Sequence, residues 1–358
     1  MEESMGGLVR RLVDGPVDVI GDVHGEIGAL HALLGQLGYD AQGHHPGGRR
    51  AVFVGDLTDR GPDSPGVATL VMDWVERDHA QCVLGNHELN ILRREAKSGN
   101  AWIIDPARRE QRPGGAFAHC RVASEAFASR YFAFIAALPL ALERDDLRVV
   151  HAAWMPGEVR ALREARGGTL EVFHDYERRI ESALEMEGLR ALAEREKREY
   201  REALETHGEV APPLLQGLAA YDARHQMGNP VRVATSGVER VARQPFWSAG
   251  QWRMVDRVPW WEEYAEDTPV IVGHYWRRLV PFAGSGHAAH KPDLFAKAGP
   301  TAWLGPGRNV FCVDYSVAAR SDRNPAPGNA AHGHLMAVRW PERELWGEDG
   351  RVDAGAAA

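Results

Sequence analysis

"VDVIGDVHGE", residues 17–26, decides how the chain is read. A short, largely apolar and β-branched run leads straight into Asp22, His24 and Gly25. A buried strand has no use for a carboxylate and an imidazole at its tip, because desolvating them costs free energy unless a partner compensates. The pair is either an ordinary polar turn or two ligands delivered to a shared object.

The pattern recurs along the chain. "AVFVGDLTDRG" (51–61) carries Asp56, Asp59 and Arg60 at its tip, and "QCVLGNHE" (81–88) carries Asn86 and His87. "LRVVHAAW" presents His151, "PVIVGHYW" presents His274, and "NVFCVDYS" presents Asp314. These runs are too short and too β-branched for helices. They lack alternation, as expected of strands buried on both faces. Between the early runs the chain reads as helix. "EIGALHALLGQLGY" puts Ile27, Leu30, Leu33, Leu34 and Leu37 on one face with Gly38 as a stop, and "PGVATLVMDWVERD" has Pro65 near its start. Strand, polar loop and helix in succession predict a layered α/β sheet, which binds ligands beyond the carboxyl ends of its strands.

With 358 residues the chain forms one large domain, or one with a sizeable insertion. A hydrophobic content of 44% and a charged content of 26% are those of a soluble globular protein. The net charge of −8 offers no basic surface for long nucleic acid or an anionic membrane, but leaves room for a nucleotide in a locally positive site. Cys82, Cys120 and Cys312 lie far apart, which argues against a disulfide framework or a thiolate zinc site. The start "MEESMGGLVRRLVDG" lacks the apolar core of a signal peptide, and no stretch is long enough to span a membrane, so a cytoplasmic setting is expected.

The middle differs in character. Residues 157–207 are charged and helical in spacing, and a Pro- and Gly-rich stretch follows. The expected organisation is a domain over 1–346, interrupted by a helical cap at 157–230, with a disordered tail at 347–358. The tryptophan-dense segment 245–264 is expected to pack between layers rather than to stack bases.

Asp22, His24, Asp56, Asn86, His151 and His274 together offer only oxygen and imidazole donors. Carboxylate with imidazole suits manganese, iron or zinc, whereas an all-oxygen set would suit magnesium or calcium. Six donors are too many for one tetrahedral zinc and fit two divalent ions at about 3.5–4 Å sharing a carboxylate. Two cations that close repel, so an anionic bridge such as Asp56 and a hydroxide belongs between them. That hydroxide is a nucleophile at neutral pH. His44 and His45, by contrast, read as part of a loop.

"GDVHG", "GDLTDRG" and "GNHE", in that order and about thirty residues apart, resemble the signatures of the calcineurin-like metallophosphoesterases. The resemblance is closer to the phosphoprotein-phosphatase branch, which includes serine/threonine phosphatases, symmetrical diadenosine tetraphosphate hydrolases and the phosphatase module of bacterial polynucleotide kinase–phosphatase. It covers residues 17–95 well, extends to "VVHAAW" and "VIVGHYW", and is absent from the cap. It implies a four-layer fold, two face-to-face β-sheets flanked by helices. It also implies that Asp22, His24 and Asp56 hold one ion, and that Asp56, Asn86, His151 and His274 hold the other. The ions would be manganese first, with iron, zinc or nickel as alternatives. By the same likeness His87 protonates the leaving oxygen, Asp59 orients His87, and Arg60 grips the phosphate, which an arginine does in bidentate fashion. Asp314 would stand near the site, and a second phosphate-binding arginine is expected among Arg253, Arg277 and Arg320. Thr58, Ala152, Ala153, Tyr275 and Trp276 depart from the branch's pattern, departures that bear on the expected substrate pocket rather than on the metal ligands.

The reading is a metal-dependent phosphomonoesterase, attacking phosphorus in line with a bridging hydroxide and acting on a phosphoprotein, a nucleotide or a small phosphomonoester. Hydrolysis of a dinucleoside polyphosphate is the alternative. A non-catalytic metal-binding regulatory module is the alternative from another class, and the retention of Asp59, Arg60 and His87 argues against it.

Overall fold

Strand alternation explains how two sheets come to face one another. The structure, a computed structural model, describes residues 7–97, 99–105, 120–206, 211–248, 251–279, 293–321 and 333–352. In β2 (Val17–Ile20), Val17 and Val19 join one buried cluster while Ile20 joins another. In β3 (Arg50–Phe53), Val52 packs with Val19, whereas Ala51 and Phe53 pack with Ile20. Both faces are apolar, so the sequence shows no alternation.

The larger sheet has six strands. β2, β3 and β4 (Ala80–Cys82) run parallel, and β11 (Met336–Trp340), β12 (Glu344–Gly347) and β13 (Gly350–Val352) extend it antiparallel from β2. The five-stranded sheet has the order β1 (Val9–Arg11), β5 (Ala141–Arg144), β6 (Leu147–Val150), β9 (Val270–Val272) and β10 (Val310–Cys312). The cluster around Val19 also takes Val83, Leu142, Val149, Ile271, Phe311 and Val338, so it is the layer between the sheets. Helices α1 (Ile27–Leu37), α2 (Ser64–Glu76), α3 (Asn86–Leu92) and α4 (Glu125–Ala137) follow the first parallel strands. Gly38 ends α1 in the left-handed region at φ 93°, and the Asp63 side chain accepts the Gly66 N–H to start α2 beside Pro65. The outcome is the α/β architecture expected, with helices flanking two packed sheets.

Packing divides the charged middle of the chain. α5 (Pro156–Glu164), the start of α6 (Thr169–Met186) and α10 (Pro230–Ser236) bury Val159, Leu162, Phe173, Val231 and Val233 in the main core. α7 (Leu189–Glu199), α8 (Arg201–Glu205), α9 (Gln216–Met227) and the hairpin of β7 (Glu239–Ser248) and β8 (Gln251–Arg257) surround a satellite core of Leu215, Leu218, Ala219, Trp252 and Met254. The satellite therefore reaches beyond residue 230 into the hairpin, while the first helix of the expected cap belongs to the main body. Trp260 and Trp261 are buried in the main core, and the Trp260 indole donates to Ala152 O at 3.1 Å, so these tryptophans pack layers together. The tail expected to be disordered from 347 instead contributes β13, because Arg351 and Val352 pair with Trp346 and Leu345; residues 353–358 lie outside the described residues. Among the described residues no helix is long and apolar enough to cross a membrane.

Asp18 breaks the apolar run of β2 for a structural reason. Its fully buried carboxylate accepts from Arg49 Nε and Arg339 Nε, both at 3.0 Å, and from the Tyr39 hydroxyl at 3.0 Å. Arg49 also donates to Val17 O and Trp340 O, tying the β3 approach to β2 and β11. Burial, with the charge of Asp18, pushes the Tyr39 phenol well above its ordinary range. Removing one partner of a buried charge network leaves the others uncompensated and costs about 3–5 kcal/mol. Asp18→Ala should lose that much in urea unfolding, whereas Glu342→Ala, at the exposed end of the Arg49 pair, should lose under about 1 kcal/mol. Equal, small losses would show that the network does not hold the strands.

Candidate metal centre

Every donor singled out in the sequence lies just past a strand end. Asp22 and His24 follow β2, Asp56 follows β3, and Asn86 and His87 open α3 after β4. His151 follows β6, His274 follows β9 and Asp314 follows β10, so the other sheet supplies the remaining half. All converge on Asp56. Its Oδ2 lies 3.7 Å from His24 Nε2 and 3.9 Å from His87 Nε2, and its Oδ1 lies 3.5 Å from His151 Nε2. Asn86 Oδ1 is 3.1 Å from His151 Nε2 and 2.9 Å from His274 Nδ1. Two sets of ligand atoms thus form, His24–Asp56–His87 and Asp56–His151–His274, each within 4.8 Å, and either could hold an ion. Asp22 stands at the edge of the first set, 4.0 Å from His24 Nε2, where its two oxygens accept the His274 N–H. By distance His87 sits closer to that set than the sequence reading placed it.

The backbone bends sharply to achieve this. His24, Asp56, Asp59, Arg60 and His274 all have φ between 46° and 74°, a region costly for residues with a side chain. Close approach does the rest at two glycines. A Cβ on Gly85 would stand 2.3 Å from Asp56 N, and one on Gly273 would stand 2.1 Å from Asp22 Oδ1. Glu88 then fixes the Asp56 loop from behind. Its buried carboxylate accepts from the N–H groups of Asp56 at 2.8 Å and Leu57 at 3.0 Å, and from the Tyr131 hydroxyl at 3.2 Å. Burial and the nearby Asp56 charge push the Glu88 carboxyl up to about 7, against donors that favour its ionised form.

Hydrogen bonds select the histidine tautomers. His24 Nδ1 is 3.1 Å from Thr58 O and His151 Nδ1 is 2.7 Å from Val54 O. Carbonyls only accept, so each Nδ1 carries the proton and each Nε2 turns a lone pair inward. Arg60 agrees, because its guanidinium donates to His24 Nε2 at 3.0 Å and to His87 Nε2 at 2.9 Å. His87 Nδ1 donates to Asp59 Oδ2 at 2.6 Å, and the Trp102 indole donates to Asp59 Oδ1 at 2.7 Å.

The chemistry of the donor set fits cations. The lone pairs of His151 Nε2, Asn86 Oδ1 and Asp56 Oδ1 face one another, an arrangement that needs a proton or a cation among them. Burial works against the His151 imidazolium, yet the carboxylates of Asp56 and Asp22 overcome it and push the ring up to about 10. His24 and His274 fall well below the usual imidazole value through burial and the charges of Arg60 and Arg257 respectively. Burial with the Asp314 charge raises Asp22, and burial also opposes ionisation of Asp56, where His151 and His87 prevail and hold it low. Crowded negative charge thus shows at Asp22 and His151, whereas the imidazoles and Arg60 hold Asp56 ionised and His24 and His274 neutral.

The departures from the phosphatase pattern have structural reasons. Thr58 Oγ1 stands 3.2 Å from Glu88 Oε1 and 3.0 Å from the Tyr131 hydroxyl, so a polar residue belongs there. Ala152 and Ala153 are buried, Ala152 N bonding Ala234 O at 2.8 Å under α10. Trp276 lies under the Arg60 guanidinium at 4.9 Å, and Tyr275 meets Arg257 at 5.9 Å.

Two of the arginines expected to bind phosphate lie elsewhere. Arg277 is buried over the rings of Phe311 and Phe295 and donates to Gly299 O and Ala302 O, so it braces a loop. Arg320 pairs with Glu348 at 2.7 Å. Arg253 lies on β8, where it donates to Ser248 O at 3.4 Å. The arginine whose charge reaches His274 is Arg257, at the end of β8. Sequence reasoning missed Arg257, Glu88, Tyr131 and Trp102. Only Glu88, inside "GNHE", carried a local signal.

A family model described as calcineurin-like phosphoesterase matches residues 15–198. A bis(5'-nucleosyl)-tetraphosphatase PrpE (asymmetrical) of Oceanobacillus iheyensis is 47% identical over 74 residues, 20% of this chain and 30% of that protein. The protein of the same name from Halalkalibacterium halodurans is 49% identical over 73 residues, again 20% and 30%. The chain spans about 30% of the length of these curated relatives. A solved cold-active protein-tyrosine phosphatase of a psychrophilic Shewanella species aligns over 96% of this chain and 81% of that one, at 16% identity and a TM-score of 0.42.

A donor set of this kind predicts ion-dependent stability. Adding Mn2+ or Zn2+ to chelator-treated protein should raise its melting temperature, by the equivalent of about 2.7 kcal/mol at a hundredfold excess over Kd. Asp56→Asn should remove most of that gain in differential scanning calorimetry. A wild-type protein whose melting point ignores both ions would contradict the centre.

Proposed function

The chain belongs to the calcineurin-like phosphoesterase family, and from that premise we propose that it is a metal-dependent phosphomonoesterase whose catalytic groups are His87, Asp59 and Arg60. The observation that carries the reading is the meeting of donors from both sheets on Asp56, with the His87–Asp59 pair at its rim. Asp22, His24 and Asp56 would hold one divalent ion, and Asp56, Asn86, His151 and His274 the other, with manganese the favoured metal. When bound, the ions supply an ionised water as nucleophile and offset the charge of the phosphoryl oxygens.

The chain's own residues do the remainder. Arg60 already bridges His24 and His87, so a phosphate entering between them meets two guanidinium N–H groups in a fixed plane. Trp276 beneath that plane keeps the guanidinium from turning away. Arg257, 5.9 Å from the ring of Tyr275 beside His274, would be the second arginine of the phosphate site. His87, its Nδ1–H committed to Asp59, presents Nε2 to the leaving oxygen. Protonated there, it donates the proton as the P–O bond breaks, which an alkoxide leaving group requires. The satellite core of α7–α9 and the β7–β8 hairpin would be the cap, the hairpin ending in Arg257, which stands 5.9 Å from the ring of Tyr275, the neighbour of His274.

Cleavage of a dinucleoside polyphosphate is the second reading, favoured by the names of the relatives that match over 74 and 73 residues. The same donors serve either substrate. With Mn2+, wild-type protein should hydrolyse para-nitrophenyl phosphate. Asp56→Asn should lose about a hundredfold or more in kcat on that substrate, and His87→Ala as much on an alkyl phosphate, whose leaving oxygen needs the proton. Arg257→Ala should raise KM about tenfold, the value of one charged hydrogen bond. A higher kcat/KM for diadenosine tetraphosphate than for any monoester would move the assignment to the second reading. Bound metal without turnover of either would make the protein a binding module.

A further inference from the structure

Asp59 has two carboxylate oxygens, and His87 uses only one of them. The other is met by Trp102, which is almost fully buried and whose indole N–H lies 2.7 Å from Asp59 Oδ1. The segment carrying Trp102 folds back over the catalytic turn. Gly99 O accepts the Arg60 N–H at 3.4 Å, and a Cβ on Gly99 would touch Asp59 Cβ at 3.3 Å. On the other side Ser64 Oγ accepts the Asp59 N–H at 2.9 Å. Asp59 and Arg60, at φ 74° and 70°, are thus held in a strained turn from both flanks. Behind Trp102 stand Phe127 and Tyr131, which stack with each other at 5.7 Å.

We propose that Trp102 is a positioning residue for the proton donor: its indole N–H fixes Asp59 so that Oδ2 alone is offered to His87. This rests on the reading of His87 as the group that protonates the leaving oxygen. Without the indole N–H, Oδ1 would face an aromatic wall with no donor, an expensive state for a buried carboxylate. Asp59 would turn to relieve it and its grip on His87 would slacken. His87 would then lose its aim at the leaving oxygen, while the metal ligands would stay in place. The consequence falls on substrates whose leaving group needs a proton.

Trp102→Phe keeps an aromatic ring against Phe127 and Tyr131 and removes the donor. Its kcat on an alkyl phosphate should fall about tenfold or more, with less than about a threefold change on para-nitrophenyl phosphate, whose leaving group departs unprotonated. In a His87→Ala background the substitution should have no further effect. Trp102→His, which retains a ring N–H, should recover part of the loss. In zinc-loaded protein the His87 Nδ1 proton, held in the short bond to Asp59, should give a far-downfield NMR resonance that moves in Trp102→Phe. Equal losses on both substrates, additivity with His87→Ala, or an unmoved resonance would overturn the proposal. A wild type inactive on both substrates would instead overturn the phosphoesterase reading, and the resonance would still decide the role of Trp102.

Discussion

Negative charge buried where two sheets meet is the constraint around which this protein is arranged. Asp22, Asp56 and Asp314 are each at most 2% exposed, and Asp59 and Glu88 are fully buried. Carboxylates in such surroundings are tolerable only when donors or cations answer them. The chain answers many of their oxygens itself. Glu88 takes the N–H groups of the Asp56 loop, and Asp314 takes those of Trp276 and Ser316, each at 2.8 Å. Asp59 takes His87 and Trp102. Asp22 takes the His274 N–H and Asp56 Oδ1 that of His87, and the lone pairs these oxygens still turn toward the imidazoles are what a divalent ion would meet.

The centre is also a measure of how the sheets sit against each other. One sheet brings Asp22, His24, Asp56 and Asn86, and the other brings His151 and His274. The apolar layer of Val19, Val52, Val149, Ile271 and Phe311 between them sets their separation. Strained backbone at five of the site residues, costing about 1–3 kcal/mol each, persists because the sheets and the glycines at 85 and 273 hold it. A close-packed core transmits small shifts rather than absorbing them. Substitutions in that apolar layer should therefore be felt at the donors.

Much of this was legible in the sequence, because strands buried on both faces leave a distinctive apolar signature and polar residues at their tips stand out. The six strand-end donors could be picked out one by one, as could α1 with its stop at Gly38. What escaped notice depends on contacts between distant segments. Trp102 and Tyr131 sit in stretches with no local pattern linking them to Asp59 or Glu88, 43 residues away in each case. Arg257 lies on a hairpin whose place beside Tyr275 comes from packing with the satellite core, and nothing local in the sequence reveals the cage of aromatic rings around Arg277. β13 reads as a frayed end in the sequence because a three-residue strand needs only a neighbour to form, and β12 is that neighbour.

The central claim is that Asp56 stands between two cations. Anomalous diffraction from crystals grown with manganese tests it most directly. The account predicts two peaks flanking the Asp56 carboxylate, one beside His24 and Asp22, the other beside Asn86, His151 and His274. A single peak away from Asp56, or none at full manganese excess, would contradict it.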